Sequence, residues 1–227
     1  MTDSSKEIKI LTIQFDLPIQ YEEIPLLRGV VIKLSNLKSD LFHNHGENGV
    51  IYRYPLIQYK RLRHNAALIS IGEACNVIHD IFENSDFSIK LGKRSEKLKV
   101  EKIKSLLYKM LIGGEFSYRL ENWLPLNQEN YKLYRQTKYF QQKAEILEKI
   151  LTGNILAFCE GIGLNPQKNI LSPITRIARE KVIPYRGQLM QAYDIDFRTN
   201  IFLPDYIGLG KGTGIGYGML IKKNIRK

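Results

Sequence analysis

Two imidazoles one residue apart, His43 and His45, stand in the polar stretch KSDLFHNHGENG, residues 38–49. Polar, Gly- and Asn-rich composition predicts a loop there, and loops carried by a rigid scaffold are where reactive groups commonly reside. The H-x-H spacing can present two rings to one metal ion. No Cys or His elsewhere stands out to complete a zinc shell, although distant Asp or Glu ligands stay open to it. The letters His-Asn-His also spell the core of a metal-nuclease motif, but the wider framework of that motif is missing. Proton transfer is the third chemistry, because an ordinary histidine pKa of about 6.5 serves as acid and base near neutrality. The plainest alternative is that both rings only contact a ligand or cap local structure. His79 lies beside Val77, Ile78 and Ile81 in a predicted helix and reads as structural.

A second segment with chemical content is Gly208-Leu209-Gly210-Lys211-Gly212-Thr213-Gly214-Ile215-Gly216-Tyr217-Gly218, six glycines in eleven residues. Glycine admits positive φ and lets backbone approach a ligand closely, and successive N–H groups can form an anion-binding nest. Neither the Walker A pattern nor G-x-G-x-x-G occurs in it. Only nine residues follow Gly218, too few for a dinucleotide-binding crossover. The tract must enter a terminal strand, either as a phosphate-contacting loop with Lys211 adding charge or as a tight turn.

Charge points the same way. The 227 residues carry 34 Lys+Arg against 23 Asp+Glu, a formal net charge of +11. That balance favours a polyanionic partner, either nucleic acid or an anionic membrane surface, with a basic surface kept for solubility as the alternative. No apolar run approaches the roughly 18–20 residues that span a bilayer; no membrane partner is expected. The first residues lack the basic and apolar regions of a secretory signal. Cys75 and Cys159 can supply neither a disulfide framework nor a Cys-rich zinc site. A cytoplasmic protein without a metal or other cofactor is the expectation.

The elements that must position these groups follow from periodicity. Residues 8–15 alternate as a strand ended by Pro18, and Pro25 opens a helix over 25–36 that carries Lys33. Residues 54–62 and 66–70 read as paired strands across the basic turn RLRHN, which contains His64. A helix over 72–82 and a strand over 86–92 complete the order β-α-β-β-α-β, the ferredoxin-like arrangement. Beyond it lie an alternating basic strand from Lys97, a long helix over 138–159, β-rich segments and the glycine tract. The reading is an α+β protein of two tandem ferredoxin-like (RRM-like) domains, the second less regular. The first spans 1–95 with the histidine loop, and the second spans 96–227 with the glycine-rich loop.

The tract has the form G-h-G, five residues including a lysine, then G-h-G, where h is hydrophobic. In that form and in its place before the last strand, it resembles the C-terminal glycine-rich loop of the CRISPR-associated repeat-RNA-cleaving endoribonucleases, the Cas six family. Residues 41–60, LFHNHGENGVIYRYPLIQYK, resemble the segment after the first helix in the Cas six b subgroup. The resemblance implies two ferredoxin-like domains and cleavage of CRISPR repeat RNA. It also implies a catalytic histidine in this loop assisted by a tyrosine or lysine. It carries over best to His45, then His43 and Tyr52, and less directly to Lys33. Gly208, Gly210, Lys211, Gly212, Gly214, Gly216 and Gly218 would contact the RNA.

For RNA the acid–base route needs no metal. A deprotonated 2′-hydroxyl attacks the adjacent phosphorus, and a proton given to the 5′-oxygen releases the following strand. The ends are then a 2′,3′-cyclic phosphate and a 5′-hydroxyl. A nearby cation or hydroxyl would stabilise the phosphoryl charge. The resemblance further implies that the product stays bound and passes to other subunits of an interference complex; a homodimer is compatible with it. A non-catalytic RNA-binding subunit of the same fold is the competing reading.

Other basic segments are less specific. Lys90, Lys93, Arg94, Lys97, Lys99, Lys102, Lys104 and Lys109 face two glutamates over twenty residues, but strand parity divides Lys97 and Lys99 from Lys102 and Lys104. Tyr131, Tyr134 and Tyr139 alternate with Lys132, Arg135 and Lys138, a pattern suited to base stacking or to an ordinary core.

Overall fold

The computed structural model describes residues 6–35, 45–46, 49–50, 53–83 and 87–223. Its strands are β1 (Lys6–Pro18), β2 (His45–Gly46), β3 (Gly49–Val50), β4 (Ile57–Leu62), β5 (Asn65–Ile71), β6 (Ser88–Leu91), β7 (Arg94–Lys97), β8 (Val100–Met110), β9 (Ile112–Trp123), β10 (Ile174–Tyr185), β11 (Gln188–Ile201) and β12 (Met219–Lys222). The α-helices are α1 (Ile24–Leu34), α2 (Ala74–Glu83), α3 (Gln128–Gln136) and α4 (Phe140–Gly161). Two compact units emerge. Among the described residues the first holds 7–109 with 214–216, and the second holds 6, 110–213 and 217–223.

In the first unit the sheet order is β4-β5-β1-β8. Antiparallel register sets Ile13 opposite Leu68 and Leu68 opposite Tyr59, so these three share one face. Pro25 sits in the first turn of α1, where its missing N–H costs nothing. The helix then buries Ile24, Leu27 and Val31, spaced as one helical stripe. Val31 and Leu34 of α1 and Ile78 of α2 surround a small apolar space with Ile13, Phe15 and Leu68, which places both helices over that face.

The fourth strand differs from the sequence expectation. Residues 88–91 pair with 94–97 as a separate hairpin through the Gly92–Lys93 turn, and Val100–Met110 completes the sheet. The hairpin is local and closes at Gly92, whose φ is +62°, and the longer strand finds β1 across the chain. The Asp16 N–H donates to the Lys99 carbonyl at 2.8 Å. The Glu101 carboxylate accepts from Gln14 at 2.8 Å and from Asn65 at 3.0 Å, tying β8 to β1 and β5. Residues 96–109 therefore group with the first unit, whereas the sequence reading assigned them to the second.

The second unit repeats the order, as β10-β11-β9-β12, with all three pairings antiparallel. Leu147, Leu151, Ile155, Phe158 and Cys159 form the buried stripe of α4. Tyr118, Leu120, Trp123, Tyr193, Ile195, Phe197 and Leu220 are among the buried side chains of its sheet. The Trp123 indole donates to Asn154 of α4 at 2.9 Å, fixing helix to sheet. Where the first unit has a second helix between its third and fourth strands, the described chain here has residues 202–218. Six glycines make a helix too costly there. That substitution is the irregularity of the second domain.

Candidate nucleic-acid interface

The glycine tract is folded back on itself in the second unit. Gly208 bridges Met219, the Leu209 N–H donates to the Gly218 carbonyl at 2.8 Å, and the Gly218 N–H donates to the Asn122 carbonyl at 3.1 Å. Gly212 and Gly216 combine positive φ with close contacts, and so do the two positions that fold the tract back. At Gly218 φ is +60° and a Cβ would stand 1.9 Å from the Leu209 oxygen. At Gly210 φ is +87° and a Cβ would stand 2.8 Å from the Trp123 indole nitrogen. Tyr217 secures the far side. Its hydroxyl donates to the Pro184 carbonyl at 2.6 Å, and its ring meets that of Tyr185 edge-on at 5.3 Å. Lys211 is half-buried.

In the first unit, Gly214–Gly216 lie along the outer edge of β4. The Tyr59 N–H donates to the Gly214 carbonyl at 3.0 Å, and Ile215 pairs in parallel with Tyr59. Gly214 differs from Gly210 and Gly218, since a Cβ there would meet only Pro55 at 3.6 Å, an ordinary contact. Its lack of a side chain has no origin in packing.

Pro55 belongs to the segment that leads from the histidine region into β4. The Gln58 side chain, fully buried, donates to the Tyr54 hydroxyl at 2.8 Å and to the Pro55 carbonyl at 3.1 Å. The sequence reading missed Gln58 and Tyr54. The available signal was an amide in the middle of an otherwise apolar strand, where burial demands hydrogen-bond partners.

Of the proposed catalytic residues, His43 and Tyr52 lie outside the described residues. His45 opens a two-residue ribbon, pairing with Val50 while Gly46 pairs with Gly49, where the sequence predicted only loop. Lys33 is exposed in the last turn of α1. His64 is held in its turn, its Nδ1 accepting from the Arg61 guanidinium at 2.8 Å while its carbonyl accepts from the Ile19 N–H at 3.0 Å. Among the described residues no three His, Cys, Asp or Glu group closely enough to hold a metal ion.

Charge is distributed unevenly. Lys60 is fully buried in β4, and burial pushes its ammonium pKa down to about 7. In the second unit Asp196 accepts both prongs of Arg119, at 2.8 and 3.1 Å, and the Lys223 ammonium at 3.0 Å. Burial alone would raise the Asp196 carboxyl, but these cationic hydrogen bonds hold it below the usual carboxylate value. Asp194 likewise accepts from Lys181, at 2.8 Å for each oxygen. The basic run from Lys90 divides at the buried Leu98, with Lys97 ending β7 and Lys102 and Lys104 exposed on β8.

Models of the Cas6b N-terminal domain and the Cas6b C-terminal domain match residues 6–107 and 110–223. The chain belongs to the Cas6b family. A crystal structure of Cas6b superposes with a TM-score of 0.86 at 21% identity, covering 96% of this chain and 100% of that one. A second Cas6b, described as a CRISPR RNA processing endoribonuclease, gives 0.71 at 19% identity over the same shares. Csf5, the type IV CRISPR-Cas Cas6 crRNA endonuclease, gives 0.54 at 12%, again over 96% and 100%. At such identities the likeness is one of fold, and it bears out two tandem ferredoxin-like domains. The uncharacterized protein MJ0978 of Methanocaldococcus jannaschii is 29% identical over 100 residues, 44% of this chain and 67% of its own. The two Cas6b domain models meet where the compact units divide, between residues 107 and 110. Among the described residues no helix is long and apolar enough to cross a membrane.

Proposed function

We propose that this Cas6b-family protein is an endoribonuclease that cuts CRISPR repeat RNA into guide units without a metal ion. Membership of the Cas6b family through both domains carries the reading, and a solved Cas6b is itself described as a CRISPR RNA processing endoribonuclease. The net charge of +11 suits a polyanionic substrate.

In the proposed reaction the 2′-hydroxyl gives its proton to an imidazole, and its oxygen bonds to the adjacent phosphorus. The bond from phosphorus to the 5′-oxygen breaks, and that oxygen takes a proton from an acid. His45 and His43 supply the proton transfers. Tyr52 and Lys33 orient the phosphate or stabilise its charge. The glycine tract holds the RNA backbone through Gly208, Gly210, Lys211, Gly212, Gly214, Gly216 and Gly218. The cleaved guide stays bound and passes to other subunits of an interference complex.

The test incubates the protein with end-labelled repeat RNAs in excess EDTA and identifies both product ends. Discrete cutting to a 2′,3′-cyclic phosphate and a 5′-hydroxyl supports the mechanism. Cutting that requires added divalent metal overturns it. Tight binding without cutting across the panel makes the protein an RNA-binding subunit instead.

A further inference from the structure

The corner between α3 and α4 leaves large apolar side chains in solvent. Tyr139 is 70% exposed and Phe140 72%, and on α3 Tyr131 is 43% and Leu133 51% exposed. Single exposed apolar residues are ordinary, but two adjacent rings as open as those of Tyr139 and Phe140 invite a partner.

The corner is rigid. Tyr134, the one tyrosine of the alternating pattern that is buried, packs edge-on against Tyr193 at 6.0 Å, and Lys143 of α4 sits 5.0 Å over its ring. Thr137 closes α3 twice on the Leu133 carbonyl, through its N–H at 3.0 Å and its hydroxyl at 2.8 Å. Three residues later Phe140 begins α4. The exposed rings are therefore presented by an anchored turn, which lowers the ordering cost of binding.

The charge around those rings is positive. Lys132, Arg135 and Lys138 are exposed between Tyr131 and Tyr139, and no acidic residue lies in the first turn of α4. Tyr131 and Arg135 stand four apart on one helical face. A ring that accepts a base and a cation that accepts its phosphate are the two parts of a single-strand binding surface. A second copy of this chain suits the corner poorly, because a self-complementary contact would set the same three cations against each other.

We propose that the α3–α4 corner is a stacking platform for single-stranded RNA, with Tyr139 and Phe140 receiving bases and Lys138 and Arg135 the phosphates. The proposal extends the reading of the chain as an RNA-processing protein by giving a single-stranded flank of the substrate a place outside the glycine tract.

Equilibrium binding of a fluorescein-labelled oligouridylate of about 15 nucleotides tests it, since that length fills a typical single-strand site. Tyr139→Ala/Phe140→Ala should weaken binding about tenfold or more, with the melting temperature and the salt dependence unchanged. Tyr139→Phe/Phe140→Trp, which keeps two rings, should bind as the parent does. Lys138→Ala should instead lower the salt slope by about one. Unchanged affinity in the double alanine variant overturns the proposal. So does loss of self-association in sedimentation velocity with RNA affinity intact, which would make the corner a protein interface. If repeat RNA is not cut while oligouridylate affinity still depends on the two rings, the platform stands and the cleavage reading falls.

Discussion

Leu209 and Gly218 close the glycine tract into a loop, the N–H of one donating to the carbonyl of the other at 2.8 Å. The approach is so close that a Cβ on Gly218 would sit 1.9 Å from the Leu209 oxygen. The eight residues between them thus start and end at one point of the second unit. Some glycines of the tract are required to make the loop, and others are required only if something approaches it. Gly218 belongs to the first kind and Gly214 to the second.

Substitution separates the two kinds. Gly218→Ala forces both a left-handed φ and a backbone collision, and should cost roughly 3 kcal/mol or more in urea unfolding. Gly214→Ala meets only ordinary contact with Pro55 and should leave the unfolding midpoint within about 0.5 kcal/mol. If the tract grips an RNA backbone, the added methyl should still weaken repeat-RNA binding several-fold. A stable Gly214→Ala protein with parental RNA affinity would remove Gly214 from the interface.

Loss of one proton-transfer group should cost a factor of about 10²–10⁴ in rate. His45→Ala should therefore bring single-turnover cutting of repeat RNA down by that range while the dissociation constant stays within a few-fold. The same measurement on His43→Ala and Tyr52→Phe ranks the three. Parental cutting by both histidine variants would end the acid–base assignment.

The order β-α-β-β-α-β was legible because each element carries its own period, but the partner of the last strand was not. Residues 88–91 and 94–97 satisfy a hairpin pattern by themselves around Gly92, and pairing of β8 with β1 depends on contacts as distant as Glu101 with Gln14. Pattern reports faces, not which distant edge will be met. The tyrosines make the same point: Tyr131, Tyr134 and Tyr139 look alike in sequence, yet only Tyr134 enters the core. Gln58 was illegible because an amide in a strand looks exposed until partners such as Tyr54 and Pro55 are seen.

Gln58 offers its own measurement. Gln58→Leu removes both donated bonds and leaves the Pro55 carbonyl short of one, at a cost of about 1–3 kcal/mol. Because Pro55 is what a side chain at Gly214 would meet, repeat-RNA affinity should fall along with stability. A stability loss with affinity unchanged would detach this segment from the interface.

Asp196 and Lys60 both make stability rise with pH, in separate windows and for different reasons. The Asp196 carboxyl is held below its usual value by Arg119 and Lys223. Its stabilisation is present above the unfolded carboxylate pKa of about 3.9 and is lost as pH falls through the lower folded value. Asp196→Asn should accordingly destabilise the protein at neutral pH and flatten the acid limb of its unfolding curve. Lys60 acts in a higher window and as a cost rather than a gain, its folded pKa standing at about 7 because it is buried. Below that value both folded and unfolded chains hold the proton, and the cost of burying the charge is fully present. From about pH 7 to about 10.4 the unfolded chain binds a proton that the folded one lacks, so stability rises. The slope approaches about 1.4 kcal/mol per pH unit for one proton. Lys60→Met, which keeps the volume and removes the charge, should abolish that rise and gain stability chiefly at pH 7 and below. Urea unfolding of parent and variant across pH 6–10 reads the difference directly, and parallel curves would mean that Lys60 stays charged in the folded protein.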